Sequence, residues 1–333
     1  MNRISRLAIL GLFAALAFAL PARAADHVKV TYPNLNGSYI FFFTAIDNGY
    51  YKDEGFDLEV LETGGGPATA ALVSGDIQFS TSGSSAISAI IKGAKLKVLL
   101  VGEDRPDWQI WSTKKEIQSF KDLKGQQIGV ISRGDTGEIG IRYYLIKLGL
   151  PSDFVAYTPM GSSLGTRMAM FKSGSLPAAV LHPGDVEILR NAGGLENGKL
   201  LVDLRQEVRS TFNGLATSDD MIKNHADEVE RFVRATRKGM IYTRNHREES
   251  IKRFAGYMKA KPEELSGEYD LLRTLMALDG TIDQSVQTNE VKLRSAMMNM
   301  DPNKLMSPSG VFDFSFAQKV NAQLATQGWK PDP

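Results

Sequence analysis

Two phrases of the same grammar, 99 positions apart, constrain this chain more than anything else in it. Leu72 to Ser85 reads LVSGDIQFSTSGSS, and Phe171 to Asp185 reads FKSGSLPAAVLHPGD. In each, a Ser-Gly pair (Ser74-Gly75, Ser173-Gly174) closes a helical stretch. A short apolar strand follows, and a loop of small or polar residues opens the next helix. Gly37 and Gly137 repeat at nearly the same offset. Shared element order, near-constant spacing and shared punctuation predict two lobes of one architecture. The alternative is a single larger doubly wound sheet that reuses strand–turn–helix grammar.

The order supports the repeat. Strand patterns at Val28–Tyr32, Phe56–Glu62, Ile77–Ser80 and Leu96–Gly102 alternate with helical stretches at Tyr39–Asn48, Ala68–Val73 and Ser84–Lys92. A second run has strands at Trp108–Thr113, Gln127–Ile131, Phe154–Thr158, Ala178–Leu181 and Leu200–Leu204. Its helices start near Ile139, Gly161 and His182. Such alternation predicts α/β lobes with parallel sheets. The polar link Glu103–Trp108 reads as one crossing between lobes, and Phe212–Thr217 as the return. The remainder is helical, from Ala226–Asn245, with Val229, Phe232, Val233, Thr236 and Met240 at helical period, to Phe314–Gln327. Asn224 stands where a cap of the first tail helix would be. The tail is expected to pack back onto the first lobe.

The first 24 residues read as a leader rather than as fold. Arg3 and Arg6 precede the apolar run Leu7–Leu20, and Pro21-Ala22-Arg23-Ala24 supplies small residues for cleavage after Ala24. A retained anchor is the other reading. Cleavage takes away three arginines and no acid, moving the formal charge from +1 to −2. That balance argues against a nucleic-acid partner. There is no cysteine, so an exported chain must rely on its core rather than on disulfides.

In open parallel sheets, ligands bind beyond the carboxyl ends of strands, over helix N-termini. Four such ends are polar here: Asn34–Ser38, Thr81–Ser85, Ser132–Thr136 and His182–Asp185. The loop Thr81-Ser82-Gly83-Ser84-Ser85 offers hydroxyls, a close-approach glycine and a helix N-terminus suited to an anion; simple capping accounts for one serine. Arg133 can clamp a carboxylate or sulfonate, or pair with Asp135. His182 can donate to a ligand or order its loop. Trp108 can stack on a ligand or pack the hinge. Asn213 can bond a ligand or make a turn. Tyr39 can line the cleft or join the Phe41-Phe42 core. His27, His225 and His246 lack ligand spacing, so no metal site is expected. No nucleophile elbow, phosphate loop or dinucleotide pattern is present, and no cofactor is expected.

AIDNGYYKDEGFDLEV (Ala45–Val60), LVSGDIQFSTSG (Leu72–Gly83), FKDLKGQQIGV (Phe120–Val130), FKSGSLPAAVLHP (Phe171–Pro183) and HADEVERFVRATRKGMIY (His225–Tyr242) together resemble solute-binding proteins of nitrate/sulfonate/taurine-type ABC importers. The resemblance implies an α/β, two-lobed periplasmic-binding-protein (type II) fold with two crossing strands as hinge and a helical C-terminal tail. Residues 25–105 with 215–333 would form lobe 1, and 106–214 lobe 2. It implies a non-enzymatic, monomeric periplasmic receptor that hands a small organic anion to a membrane permease and its ATPase. The ligand contacts it carries over are Ser38, Tyr39, Thr81, Ser82, Ser84, Arg133, Thr136, His182 and Asn213, with Trp108 beside them. A neutral or zwitterionic heterocycle, such as a thiamine-precursor pyrimidine, is the alternative ligand. A secreted enzyme on the same scaffold and a sensing subunit of a membrane receptor are the alternative functions.

Overall fold

In the computed structural model, residues 25–208 and 210–331 are described. The leader expected over 1–24 lies outside them. Two five-stranded sheets organise the chain. The first has the order β2-β1-β3-β10-β4 and the second β7-β6-β8-β5-β9. β1 (Asp26–Tyr32), β2 (Phe56–Glu62), β3 (Phe79–Ser80) and β4 (Leu96–Val101) are answered by β6 (Gln127–Val130), β7 (Ala156–Pro159), β8 (Ala178–Leu181) and β9 (Leu200–Asp203). β1 sits parallel between β2 and β3, with Val30 opposite Val60 and Phe79. β6 sits the same way between β7 and β8, with Gly129 opposite Thr158 and Ala179. The two sheets therefore repeat one order, as the spacing of the Ser-Gly phrases predicts.

The sheets are not purely parallel. β5 (Gln109–Ser112) and β10 (Gly214–Ser218) are antiparallel to both neighbours. Each is the first strand laid down after the chain crosses between sheets, so it enters its sheet from the opposite end. The crossovers run side by side: Phe212 N–H donates to the Glu103 carbonyl at 3.0 Å and Leu204 N–H to the Trp108 carbonyl at 3.0 Å.

Helices follow the strands: α1 (Ile40–Asp47), α2 (Tyr50–Asp53), α3 (Gly65–Ser74) and α4 (Gly83–Ile91) in the first run; α5 (Thr136–Lys147), α6 (Leu164–Lys172), α7 (Pro183–Asn191) and α8 (Leu204–Glu207) in the second. Gly75 and Gly174 close α3 and α6 at φ of +83° and +62°. A side chain there would be strained, which is why both corners carry glycine.

The tail comprises α9 (Asp219–Asn224), α10 (Ala226–Asn245), α11 (Arg247–Met258), α12 (Pro262–Leu275), α13 (Gln284–Met297), α14 (Pro308–Val311) and α15 (Ser315–Thr326). Asn224 does not cap α10. It ends α9, donating to Asp220 at 2.7 Å, and His225 takes the cap position without a side-chain bond to the helix backbone. α10 buries the expected stripe, and Phe232 stacks on Phe79 of β3 at 3.9 Å between ring centroids. α10 and α15 cover the first sheet's unit as expected. The tail also reaches the other unit: α12 packs on α7, and α13 touches both α4 and α5. No helix among the described residues is long and apolar enough to cross a membrane.

Candidate functional site

The site is built where the two crossovers pass between the sheets. Asn213, on the second crossover, donates Nδ2–H to the Ser38 carbonyl at 2.6 Å and to Glu103 Oε1 at 3.2 Å. The Ser38 hydroxyl donates to Asp107 Oδ2 at 3.4 Å. The His182 Nδ1 lies 2.9 Å from the Asp107 carbonyl. Trp108 lies over the His182 ring, centroids 3.8 Å apart, and its Nε1–H donates to Thr136 Oγ1 at 3.1 Å. Phe212 meets Trp108 and His182 edge-on at 6.0 Å, and Tyr39 at 6.4 Å. All of these side chains are buried. The structure thus gathers Ser38, Tyr39, Trp108, Thr136, His182 and Asn213 around one centre.

The hydroxyl loop after β3 is more divided. Thr81 Oγ1 donates to the Thr31 carbonyl at 3.1 Å, and Ser84 Oγ to the Asn213 carbonyl at 3.4 Å. Ser82 stands at the N-cap of α4 without making a side-chain cap bond. Its buried hydroxyl has no partner among the described residues. Capping therefore does not explain this loop, but two of its three candidate hydroxyls are spent on backbone.

Arg133 does not join the centre. Its side chain is 58% exposed and pairs with Glu138 at 2.8 Å, not with Asp135. Asp135 is already engaged: it caps α5 through the Glu138 amide and accepts from the Ser132 amide, both at 2.8 Å. Burial pushes the Asp135 carboxyl up to about 6, against the pull of those backbone donors. Glu138, itself buried, also holds Arg142 at 2.7 Å, so Arg133 belongs to an ion-pair cluster at the start of α5.

The sequence reading placed Asp185 in a ligand-facing loop but missed the other charged residues of the site. Glu103, Asp107, Asp185 and Glu268 are all buried there. Arg167 is fully buried, with Nη2 3.4 Å from Asp185 Oδ2, and also donates to the Ser162 carbonyl. Arg205 reaches Asp107 only at 3.9 Å because it is committed to Asp203 at 2.5 Å. Burial raises the Glu103 carboxyl well above its usual range, and the Asp107 charge adds to this. Glu268 is raised likewise, by burial first and then by Asp107 and Asp185. It comes from α12 and lies against Gly184, where a Cβ would stand 2.0 Å from its Oε2. The amides of Gly184 and Gly37 are near enough to favour its charge, but neither oxygen has an aligned donor.

A signal for two of these was present in the pattern. Glu268 falls in the stripe Leu265, Glu268, Tyr269, Leu272, and Arg167 in the stripe Leu164, Arg167, Met168, Phe171. A charge at a position that helical periodicity assigns to the buried face is the mark of a polar interior site.

The unpartnered buried atoms at this centre are mostly acceptors. Glu103 Oε2, Asp107 Oδ1, Asp185 Oδ1, Asn213 Oδ1 and both Glu268 oxygens lack donors among the described residues, against Asn34 Nδ2 and Arg167 Nε on the donor side. Buried polar atoms in native proteins are almost always satisfied, by the chain, by water or by a ligand.

Comparison with known proteins places the chain. The NMT1/THI5-like family profile matches residues 36–250. The riboflavin-binding protein RibY of Chloroflexus aurantiacus is 25% identical over 244 residues, 71% of this chain and 66% of its own length. A solved structure from Bordetella bronchiseptica RB50 superposes with a TM-score of 0.75 at 18% identity, covering 90% of this chain and 98% of that one. The alkanesulfonate-binding protein SsuA of Xanthomonas axonopodis pv. citri, solved with MOPS, superposes at 0.68 with 17% identity, covering 87% and 99%. The fold is that of the periplasmic binding proteins, and the chain belongs to the NMT1/THI5-like family.

Proposed function

We propose that this protein is the solute-binding component of an ABC importer. It takes a small aromatic or heteroaromatic solute, neutral or positively charged and rich in hydrogen-bond donors, such as an amino-substituted pyrimidine. The observation that carries the ligand class is the set of unpartnered buried acceptors on Glu103, Asp107, Asp185, Asn213 and Glu268, beside the Trp108, His182 and Phe212 rings. Donors on a ligand would satisfy those oxygens, and its ring would stack among the aromatics. The lobes, 25–105 with 215–333 and 106–214, would close over it by hinge motion at the crossovers. The leader would direct the protein to the periplasm, where it acts as a monomer and delivers the solute to a permease and its ATPase.

A small organic anion is the second reading. Arg167 favours it, being fully buried with Nε unpartnered. Its pairing with Asp185 and the crowding of Glu103, Asp107 and Glu268 in the same centre oppose it. Catalysis is disfavoured by the site's own geometry. His182 and Ser38 both turn toward Asp107, so the imidazole is not placed to take the Ser38 proton.

A thermal-shift screen over aminopyrimidines, other cationic heterocycles, sulfonates, carboxylates and nitrate tests the reading. A ligand at 100 times its Kd stabilises by about 2.7 kcal/mol. Stabilisation by sulfonates or carboxylates alone would overturn the donor-rich class. Turnover of the bound compound would overturn the receptor.

A further inference from the structure

One face of α10 carries Arg237, Met240, Ile241, Arg244 and Asn245, spaced as a single helical stripe. It borders a cavity of about 130 Å³ whose opposite wall is Gly102–Glu103 and Met276–Leu278. The cavity lies behind the first crossover, outside the cleft centre. Other basic residues of α10 are matched by acids: Arg231 by Asp26 and Asp227, Arg234 by Glu54 and Glu230, Lys238 by Glu54. Arg237 and Arg244 have no carboxylate partner among the described residues.

Arg237 is only 3% exposed. Its Nε donates to Asn321 Oδ1 at 3.0 Å and its Nη2 to the Leu278 carbonyl at 3.1 Å. Its Nη1 meets only the Met240 sulfur, at 3.5 Å, a weak acceptor. Burial lowers this guanidinium to about 10. The Asp279 charge favours this cation without pairing with it, and a buried cation whose hydrogen bonds all go to neutral acceptors gains from an anion that joins it. The acids nearby are engaged elsewhere. Asp279 is exposed and accepts from the Thr281 amide and hydroxyl. Glu103 turns its carboxyl toward Asn213, in the cleft.

We propose that this cavity is a second binding site, for a short aliphatic monocarboxylate. The two arginines would take the carboxylate, Arg237 through Nη1, by charge-assisted bonds. Phe41, Ile241 and Met276 would face the alkyl chain. The volume suits a molecule somewhat smaller than benzene, which an engineered cavity of about 150 Å³ accepts. The occupant would touch the hinge, because the Ala277 amide of this wall donates to the Gly102 carbonyl at 2.7 Å.

The test is a titration of the full chain, without cleft ligand, with sodium propionate against sodium chloride at equal ionic strength, read as Tm. A saturable rise with propionate only is expected. Arg244→Gln, at a half-buried position without an ion pair, should raise the apparent Kd at least ten-fold, as should Arg237→Gln if it folds. Arg133→Ala, which removes a charge from the α5 surface, should keep the rise. No saturable rise would overturn the proposal. So would a rise that survives Arg244→Gln, which would put the carboxylate elsewhere, or one lost equally in Arg133→Ala, which would make it a general charge effect.

Discussion

The indole of Trp108 lies on the imidazole of His182, centroids 3.8 Å apart and planes tilted by 32°. The ring's edge is set by Asp107. Nδ1 faces a carbonyl, that of Asp107, which can only accept, so Nδ1 carries the proton. In the neutral imidazole Nε2 is then an acceptor, and it has no partner among the described residues. It extends the acceptor set around the rings, in keeping with a donor-rich ligand.

Trp108→Leu should therefore weaken ligand binding about ten-fold. It removes a stacking surface worth roughly 0.5–1.5 kcal/mol beyond its area, together with that area itself. Isothermal titration checks the affinity. The ligand-dependent change in tryptophan fluorescence should vanish with it, since Trp111 and Trp329 lie outside the centre. Retention of both signals would remove Trp108 from the site.

Arg133→Ala should change ligand affinity by less than about three-fold. The guanidinium is exposed and turned onto the buried Glu138 carboxylate rather than into the centre, with Arg142 left to hold the same carboxylate. A ten-fold loss in the same titration would restore the anion clamp read from the loop sequence.

These two residues show what the sequence could and could not carry. Trp108 and His182 stand at a crossing and at a strand end, places set by the order of elements, and element order is legible in periodicity and turn residues. Arg133 stands at a strand end as well. Its direction was decided by Glu138 and Arg142, one and two turns further along α5, and side-chain direction has no signature in strand–turn–helix grammar. Glu103 and Asp107 lay in a segment that reads only as a polar linker. Glu268 came from the tail, which periodicity cannot dock. The antiparallel entries of β5 and β10 were likewise invisible, because a strand's direction depends on which sheet it joins. Of the charges outside the strand-end loops, Glu268 and Arg167 left a trace, as charges on apolar stripes.

Glu268→Gln should raise the stability of the ligand-free protein at pH 8 and flatten its pH dependence. A glutamate in the unfolded chain titrates near 4.3. In the fold, burial and the neighbouring acids raise Glu268 well above that. Between the two values the native state holds the extra proton, so stability falls as pH rises through the folded value. Glutamine keeps the uncharged form at every pH. Glu103 shifts in the same direction, so part of the slope remains. Urea denaturation at pH 5, 6, 7 and 8 reads the effect, and equal slopes for parent and variant would refute it. Ligand affinity should fall in the same variant, because glutamine cannot give up a proton to present two accepting oxygens to the ligand's donors.

The tail should hold the two units together through Glu290 and Arg294. Glu290 Oε1 accepts from Arg294 Nε at 2.7 Å and from the Tyr143 hydroxyl of α5 at 3.1 Å, while Oε2 accepts from the Thr211 amide of the second crossover at 3.2 Å. Both charges are buried. Arg294→Met strands Glu290 and should cost about 3–5 kcal/mol. Glu290→Gln combined with Arg294→Met should recover much of that loss, since no buried charge is then left unpaired. Urea midpoints of the two single variants and the double variant form the cycle; simple additivity would show that the pair acts as two independent residues.

Gly66→Ala should hold the cleft open. The segment Gly64–Gly66 at the head of α3 lies against Ser132 and Arg133 of the other unit. A Cβ at Gly66 would stand 2.2 Å from the Arg133 carbonyl oxygen. That atom is backbone and cannot swing aside, so the clash is relieved only by separating the two loops. Nothing within α3 forbids alanine, which favours helix more than glycine does. The variant should fold with a Tm close to the parent's, yet bind ligand at least ten-fold more weakly, because closure then works against the contact. Small-angle X-ray scattering with saturating ligand gives the direct reading: the parent's radius of gyration should shrink on binding and the variant's should not. Equal shrinkage in both would show that the Gly66–Arg133 contact is not part of closure.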